Sequence, residues 1–460
     1  MFFHVLEKSL KPRIALVHFT SQPSVSRGAG YILGSLLEGG YSVDFMQTSS
    51  KWGAIQLKEI AHRILSSECQ ILFLSSFTMF FPEVLRLARF VKSQRQIITV
   101  LGGIHATLEG GKILETHSEI DFLCLGEGES FALEFMEKLG QISFFSIKNL
   151  GYRSNNRVIL NSCRPAENLA NLPLFPWNHF SKDQIIDYNG FLAVHATRGC
   201  PFLCSYCCNH AYINLYGNSY IRFRPIEKII EEMVFLKKKF SPQLFYFGDE
   251  MLLSNIEYFR RLAKSIKKEI DVPFGCMARV EYLSQEVVDW MEESGCKYVG
   301  IGVECGDEHF RRKFLNRHMT NQQIISAFGY LKKAKISATS FNIIGFPFEN
   351  DDKLTLQTEQ LTNILSPNFA QFSIFFPFPG TKLFEYCLQQ KLIDWKKYRR
   401  TRNYYSESVL KNRKVKHIRD VLDRKFNKKE PSISFSEMLE RGKQFFRETI
   451  GKSLVRLTDI

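Results

Sequence analysis

Short apolar runs alternate with helical patterns along most of this 460-residue chain, and that alternation restricts the fold more than any other feature. Arg13–His18, Tyr41–Met46, Ile71–Ser76, Ile97–Leu101 and Ile120–Cys124 are rich in Ile, Leu, Val and Phe. Amphipathic stretches such as Pro82–Lys92 and Ser130–Lys138 lie between them. Brief apolar strands separated by helices predict a parallel sheet covered on both faces. The expected class is α/β, opening with a Rossmann-like doubly wound sheet over residues 1–145. Such sheets bind ligands at the carboxyl ends of their strands.

A second series of the same kind follows. Phe191–Thr197, Gln243–Phe247, Pro273–Ala278, Lys297–Val303, Thr339–Ile344 and Phe369–Phe376 read as strands. Helical patterns separate them: Ile226–Lys238 entered at Pro225, a helix capped by Ser254, Ser284–Ser294 closed by Gly295, and Thr320–Ala334. Six strand–helix repeats predict a partial (β/α)6 TIM-like barrel over 189–395, with chemistry at the strand carboxyl ends. Residues 146–188 form a connector, with a hairpin around Ser154–Asn156 and the Pro-marked stretch Leu169–Trp177. Residues 396–460 are a small, basic, helical tail with a candidate amphipathic helix at Ser436–Ile450.

The strand Phe191–Thr197 runs into Arg198-Gly-Cys-Pro-Phe-Leu-Cys-Ser-Tyr-Cys-Cys208. Cys200, Cys204 and Cys207 are spaced Cys-x3-Cys-x2-Cys. Three soft thiolates at this spacing suit three irons of a [4Fe–4S] cubane and leave the fourth open, the mark of a catalytic rather than a closed metal centre. A zinc knuckle is the alternative. It needs a fourth ligand, for which Cys208 is too near and His210 poorly spaced.

Composition bounds the remaining classes. Eleven cysteines, an odd number with three in one loop, argue against a secreted disulfide scaffold. No apolar run reaches the ~18 residues that span a bilayer, and the first residues carry no signal-peptide pattern. A cytoplasmic protein with no transmembrane segment is expected. Net charge is +14, but from Lys396 onward 19 basic residues face 8 acidic ones, so most of the excess lies in the tail. A basic tail attracts nucleic acid, anionic lipid or an acidic partner, or is simply a solvated face. Nucleic acid is the less favoured partner.

Taken in order, the motifs resemble those of the radical SAM enzymes that carry a B12-binding domain, the cobalamin-dependent radical SAM family. The cysteine loop has that family's Cys-x3-Cys-x-aromatic-Cys form, with Tyr206 in the aromatic place. Leu101-Gly-Gly-Ile-His-Ala-Thr107 and Leu125-Gly-Glu-Gly-Glu129 follow the fourth and fifth strands, like the family's two Gly-rich segments. In the barrel, Gly248-Asp-Glu250, Arg279, Glu304 within Gly302-Val-Glu-Cys-Gly306, Asn342–Pro347 and Phe378-Pro-Gly-Thr381 fall at successive strand ends, as they do in the family. The resemblance covers about residues 13 to 385.

The resemblance implies a [4Fe–4S] cluster on Cys200, Cys204 and Cys207. It implies S-adenosylmethionine (SAM) bordered by Tyr206, Gly248, Asp249, Glu250, Arg279 and Glu304. It also implies a corrinoid near Ser75, Ser76, Thr78, Gly102, Gly103, His105 and Glu127. One departure stands out. The Asp-x-His-x-x-Gly motif that supplies a lower-face histidine to cobalamin is absent, since Asp307-Glu-His309 lacks the Gly; this leaves cobalamin binding open. Methylthiotransferases, which hold a second cluster on three N-terminal cysteines, are rejected, because residues 1–150 contain only Cys69 and Cys124.

The implied activity is cleavage of SAM to a 5'-deoxyadenosyl radical and methylation of an unactivated carbon. The implied partners are a small-molecule substrate and an electron donor such as flavodoxin or ferredoxin. Cyclisation or rearrangement, or an N-terminal domain that binds no cobalamin, are the alternatives within the family. A nucleic-acid-binding protein with a structural metal is the alternative outside it.

Overall fold

The computed structural model describes residues 11–20, 25–48, 54–187, 190–348, 351–403, 407–413 and 415–427. The candidate helix Ser436–Ile450 lies outside them. The chain divides into two compact units, neither continuous in sequence. The first is Met1–Ser181 with Gly199–Phe223 and Pro377–Asn403; the second is Lys182–Arg198 with Arg224–Phe376 and Tyr404–Ile460.

In the first unit, β1 (Ile14–Phe19), β2 (Val43–Gln47), β3 (Ile71–Ser76), β4 (Ile98–Gly102) and β5 (Phe122–Cys124) lie parallel in the order β2-β1-β3-β4-β5. This is a doubly wound order whose direction reverses at β1. Alternation along each strand sends Ile14, Leu16, Ile71, Phe73, Val100 and Phe122 into one core with the helices Arg27–Glu38 and Glu129–Lys138. Phe is used heavily there. Phe73, Phe122, Phe135 and Phe144 meet edge to face with centroids 5.0–5.6 Å apart, a favourable quadrupole arrangement. The hairpin that the sequence places in the connector, β6 (Leu150–Ser154) and β7 (Arg157–Leu160), extends this sheet antiparallel to β5. Its turn residues Asn155 and Asn156 both take positive φ, as a two-residue hairpin of matching twist requires.

In the second unit, β8 (Phe191–Val194), β9 (Leu244–Phe247), β10 (Phe274–Ala278), β11 (Cys296–Glu304), β12 (Ser337–Ile344) and β13 (Phe369–Ile374) form one parallel sheet in sequence order. Among the described residues it stays open at β8 and β13, as a partial barrel does. Its helices start on real caps. Asn255, one residue after the expected Ser254, accepts from Tyr258 N; Ser284 accepts from Val287 N; and Thr320 and Gln323 form a capping box.

The β13 edge is blunted by the tail. The Asn427 side chain bonds both the N–H (3.1 Å) and the C=O (3.0 Å) of Ala370, and the helix Lys416–Phe426 packs Leu422 against Ala370, Phe372 and Ile374. Unpaired edge groups are thereby satisfied internally.

Candidate functional site

The cysteine loop begins at Gly199, whose φ is +101° and where a Cβ would lie 2.3 Å from the Tyr220 carbonyl oxygen. Only glycine fits there. Cys204 is buried, and Cys200 and Cys207 are half-buried. The Cys207 amide donates to the Cys204 carbonyl at 3.1 Å, tightening the turn. Both ring nitrogens of His210 face carbonyl oxygens, those of Cys207 and Gly380. Neither is directed at a metal, which removes the fourth ligand that a zinc knuckle would use. Among the described residues no three His, Cys, Asp or Glu side chains are gathered closely enough to hold a metal ion between them. The donor set itself, three undisulfided thiols on one tight loop, fits iron–sulfur ligation.

In the second unit, β8 ends at Val194 and its exit is pinned from three sides. Asp249, only 2% exposed, accepts from the Ala196 amide (2.9 Å), the Thr197 amide and the Thr197 hydroxyl (2.6 Å). The Tyr258 hydroxyl donates to the Arg224 (2.8 Å) and Ala196 (3.3 Å) carbonyls. Arg224 donates to the His195 carbonyl (2.8 Å) and pairs with Glu232.

Asp249, which the resemblance places beside SAM, is thus a backbone clamp on the strand exit. Its oxygens are engaged by two backbone amides and the Thr197 hydroxyl. Burial pushes its carboxyl up to about 6, against the opposing pull of those hydrogen bonds. Glu250, which is exposed, is the carboxylate of this segment that reaches solvent. Gly248 is required by the His195 ring, whose Nε2 lies 3.0 Å from where a Cβ would stand.

Further along the sheet, Arg279 is buried and its guanidinium is held by Glu281. Burial raises the Glu281 carboxyl, but the hydrogen bond and charge of Arg279 prevail and leave it below its ordinary value. Glu304 sits at the end of β11 in the left-handed region, φ +70°, where β11 shifts register against β12 and Glu304 comes opposite Asn342. Strained backbone of this kind gathers at functional sites. Its carboxylate turns back over Gly302, where a side chain would collide with it at 2.5 Å, and stands 3.7 Å from Arg317.

Asn342 is 1% exposed; its amide nitrogen is satisfied by Ser340 and Gln371 while its Oδ1 is a buried acceptor without a partner. Cys305 is fully buried beside the Thr358 hydroxyl, and burial pushes its thiol up to about 11. It is a packing residue at a buried turn.

At the carboxyl ends of β3 and β4 in the first unit the expected residues do come together. Ser75 Oγ lies 3.1 Å from His18 Nδ1, and Thr78 Oγ1 lies 3.2 Å from His105 Nδ1. Ser76 donates to the Phe77 carbonyl. Gly103, at φ +90°, leaves a cradle that a Cβ would fill at 3.0 Å from the Ser76 backbone, which explains the glycine at 103. Burial depresses His18 to about 4 and His105 to about 3, so both rings are neutral at pH 7. Glycine turns, hydroxyls and neutral imidazole at the open ends of a doubly wound sheet fit a large neutral ligand rich in amides.

Glu127 is not part of that group. Arg222 grips it through two 2.7 Å bonds, the Glu167 amide donates to it at 2.7 Å, and its own amide donates to the Tyr216 hydroxyl oxygen at 2.8 Å. Its carboxylate is an anchor for the chain that follows the cysteine loop. Sequence reasoning missed Arg222, Tyr216, Arg224, Tyr258 and Arg317. They stand outside the strand-end motifs, and only their partners mark them.

The family model described as the radical SAM superfamily matches residues 194–356, and that described as the B12 binding domain matches residues 16–135. The chain is a radical SAM enzyme with a B12-binding domain. The radical SAM match begins at the end of β8, and the B12 match spans β1 to β5. An uncharacterized methyltransferase of Pyrococcus horikoshii is 27% identical over 356 residues, 75% of each chain. The anaerobic magnesium-protoporphyrin IX monomethyl ester cyclase of Rubrivivax gelatinosus is 25% identical over 385 residues, 80% of this chain and 67% of that one. Among solved structures, the radical S-adenosylmethionine methyltransferase TsrM of Kitasatospora setae, with cobalamin and a [4Fe–4S] cluster bound, superposes with a TM-score of 0.67 at 14% identity. It covers 82% of this chain and 78% of its own, and at that identity the likeness is one of fold.

Proposed function

We propose that this radical SAM enzyme is a cytoplasmic, cobalamin-dependent methyltransferase acting on an unactivated carbon of a small molecule. The observation that carries the reading is the presence in one chain of a three-thiol loop and a doubly wound B12-type domain with a glycine cradle at its strand ends. Cys200, Cys204 and Cys207 would hold the cluster. Tyr206, Gly248, Glu250, Arg279 and Glu304 would border SAM. Ser75, Ser76, Thr78, Gly102, Gly103 and His105 would border the corrinoid. When bound, the cluster and SAM supply an adenosyl radical and cobalamin a transferable methyl group.

The chain's own residues position and shield. Asp249 fixes the backbone three residues ahead of Cys200. Neutral His105 offers a hydrogen bond without a charge. The buried Phe346, Phe375 and Phe376 at the ends of β12 and β13 keep water from that part of the sheet. A low-potential electron donor such as flavodoxin or ferredoxin completes the reaction, and the chain's net charge of +14 suits an acidic one. Among the described residues no helix is long and apolar enough to cross a membrane.

Methyl transfer is favoured by the relative named as a methyltransferase, which matches three quarters of the chain. Cyclisation is the second reading, favoured by the named cyclase that matches 80% of it. Anaerobic reconstitution with iron, sulfide and hydroxocobalamin tests the proposal. Cobalt stoichiometric with the chain, together with 5'-deoxyadenosine formed from SAM, supports it. Iron incorporation without cobalt removes cobalamin from the reading, and zinc without labile sulfide removes the radical chemistry.

A further inference from the structure

A cavity of about 310 Å³ opens in the first unit, within the range of small-molecule pockets. One wall comes from the end of β3 and the helices after β3 and β4, through Thr78, Phe81 and His105; the other comes from the segment 377–403, through Phe384, Trp395 and Tyr398. That second wall is bonded to the cysteine loop. The Leu383 amide donates to the Ser205 carbonyl at 3.1 Å, and His210, whose other nitrogen faces Cys207, meets the Gly380 carbonyl. The cavity thus adjoins both the corrinoid-side strand ends and the partners of the thiol loop.

Its lining is aromatic. Phe81 lies on His105 at 4.2 Å between centroids, and Tyr398 packs between Trp395 (5.3 Å) and Phe384 (6.4 Å). Burial depresses both His105 and His117, which disfavours positive charge in its interior. Glu109, half-buried, is raised by burial, held down in part by Lys112 and raised again by Glu385. Lys112 and Arg399 stand exposed at the rim. The slot is therefore aromatic, with one carboxylate, Glu109, in its lining and the cationic Lys112 and Arg399 at its mouth.

We propose that this cavity binds the methyl acceptor, and that the acceptor is an aromatic acid of one or two rings, its rings lying among Phe81, Phe384 and Tyr398 and its carboxylate reaching Lys112 and Arg399. The role as acceptor site rests on the methyltransferase reading; the binding chemistry does not.

The test uses 1-naphthoate as the probe and the fluorescence of Trp395 as the signal, on the full chain without added cofactors. Saturable quenching is expected in the wild type and is lost in Trp395→Phe. Reversing both rim charges, Lys112→Glu with Arg399→Glu, weakens naphthoate about tenfold, equivalent to roughly one charge-assisted contact, and leaves the neutral 1-naphthamide within about twofold. Both substitutions are at exposed positions, so retained naphthamide binding reports a folded cavity. Non-saturable quenching, unchanged naphthoate affinity in the reversed variant, or equal losses for both probes would overturn the proposal.

In the reconstituted enzyme, saturating naphthoate alters the rate of 5'-deoxyadenosine formation in the wild type and not in the charge-reversed variant. No effect on the wild type removes the acceptor role. A chain that binds naphthoate but never cleaves SAM refutes the methyltransferase reading instead, so the two failures are distinct results.

Discussion

Replacing Asp249 by Ala should free the segment that leads into the cysteine loop. Three donors, the Ala196 and Thr197 amides and the Thr197 hydroxyl, converge on one buried carboxylate. Leaving buried donors unsatisfied costs about 1–3 kcal/mol each before relaxation, so the alanine variant is expected to lose about 3 kcal/mol or more. Asparagine keeps one acceptor oxygen without the charge and should lose only about 1 kcal/mol.

The carboxyl also writes a pH signature. Below pH 3.8 it is protonated in the folded and unfolded chain alike. Between 3.8 and about 6 the unfolded chain gives up the proton while the folded chain keeps it, so stability falls as pH rises and levels off above 6. The fall amounts to about 3 kcal/mol at 1.36 kcal/mol per pKa unit. The raised carboxyls of Asp351 and Asp423 contribute the same sign, so the difference between wild type and Asp249→Asn isolates Asp249.

Hydrogen exchange of a peptide covering residues 191–199, read at pH 5 and pH 7, measures this locally. Protection of Ala196 and Thr197 should drop by about tenfold or more in Asp249→Ala, the equivalent of ~1.4 kcal/mol or more. The pH dependence should be smaller in Asp249→Asn than in the wild type, the difference being the part owed to Asp249. Unchanged protection in the alanine variant would refute the clamp.

Three further outcomes are expected. Cys200→Ala, Cys204→Ala and Cys207→Ala each abolish 5'-deoxyadenosine formation, whereas Cys208→Ala keeps it; iron analysis and product chromatography decide. Arg222→Ala strands the buried Glu127 carboxylate, 11% exposed, and lowers stability by about 3–5 kcal/mol. Because Glu127 is an anchor, cobalamin affinity should change far less than thermal stability; loss of cobalamin with unchanged stability would make Glu127 a ligand after all. Gly103→Ala meets a left-handed φ and the Ser76 backbone, costs on the order of 1–3 kcal/mol, and weakens cobalamin binding in an equilibrium titration.

Both sheets were readable from the chain because buried parallel strands are continuous apolar runs, so Ile71–Ser76 and Thr339–Ile344 announce themselves. The thiol loop was readable because its ligands are neighbours in sequence. What each strand-end carboxylate does was not readable. Asp249 and Glu250 are adjacent, yet one turns inward to the backbone and the other to solvent. Glu127 finds Arg222 95 residues later, and Glu83 finds Arg402 319 residues later. No local pattern encodes such pairs; tertiary packing chooses the partner. The hairpin Leu150–Leu160 reads correctly as a hairpin, but its place on the β5 edge depends on an open strand that only the assembled sheet presents. Asn427 likewise looks like a polar tail residue until the exposed edge at Ala370 appears beside it.

The most direct measurement of the central claim is anaerobic incubation of the reconstituted chain with SAM carrying a labelled methyl group, an electron donor and a cell extract of small molecules. The account predicts 5'-deoxyadenosine together with the label on a new carbon–methyl bond, both dependent on cobalamin and on Cys200, Cys204 and Cys207. 5'-Deoxyadenosine formed at an equal rate without cobalamin, with no label leaving SAM, would contradict it.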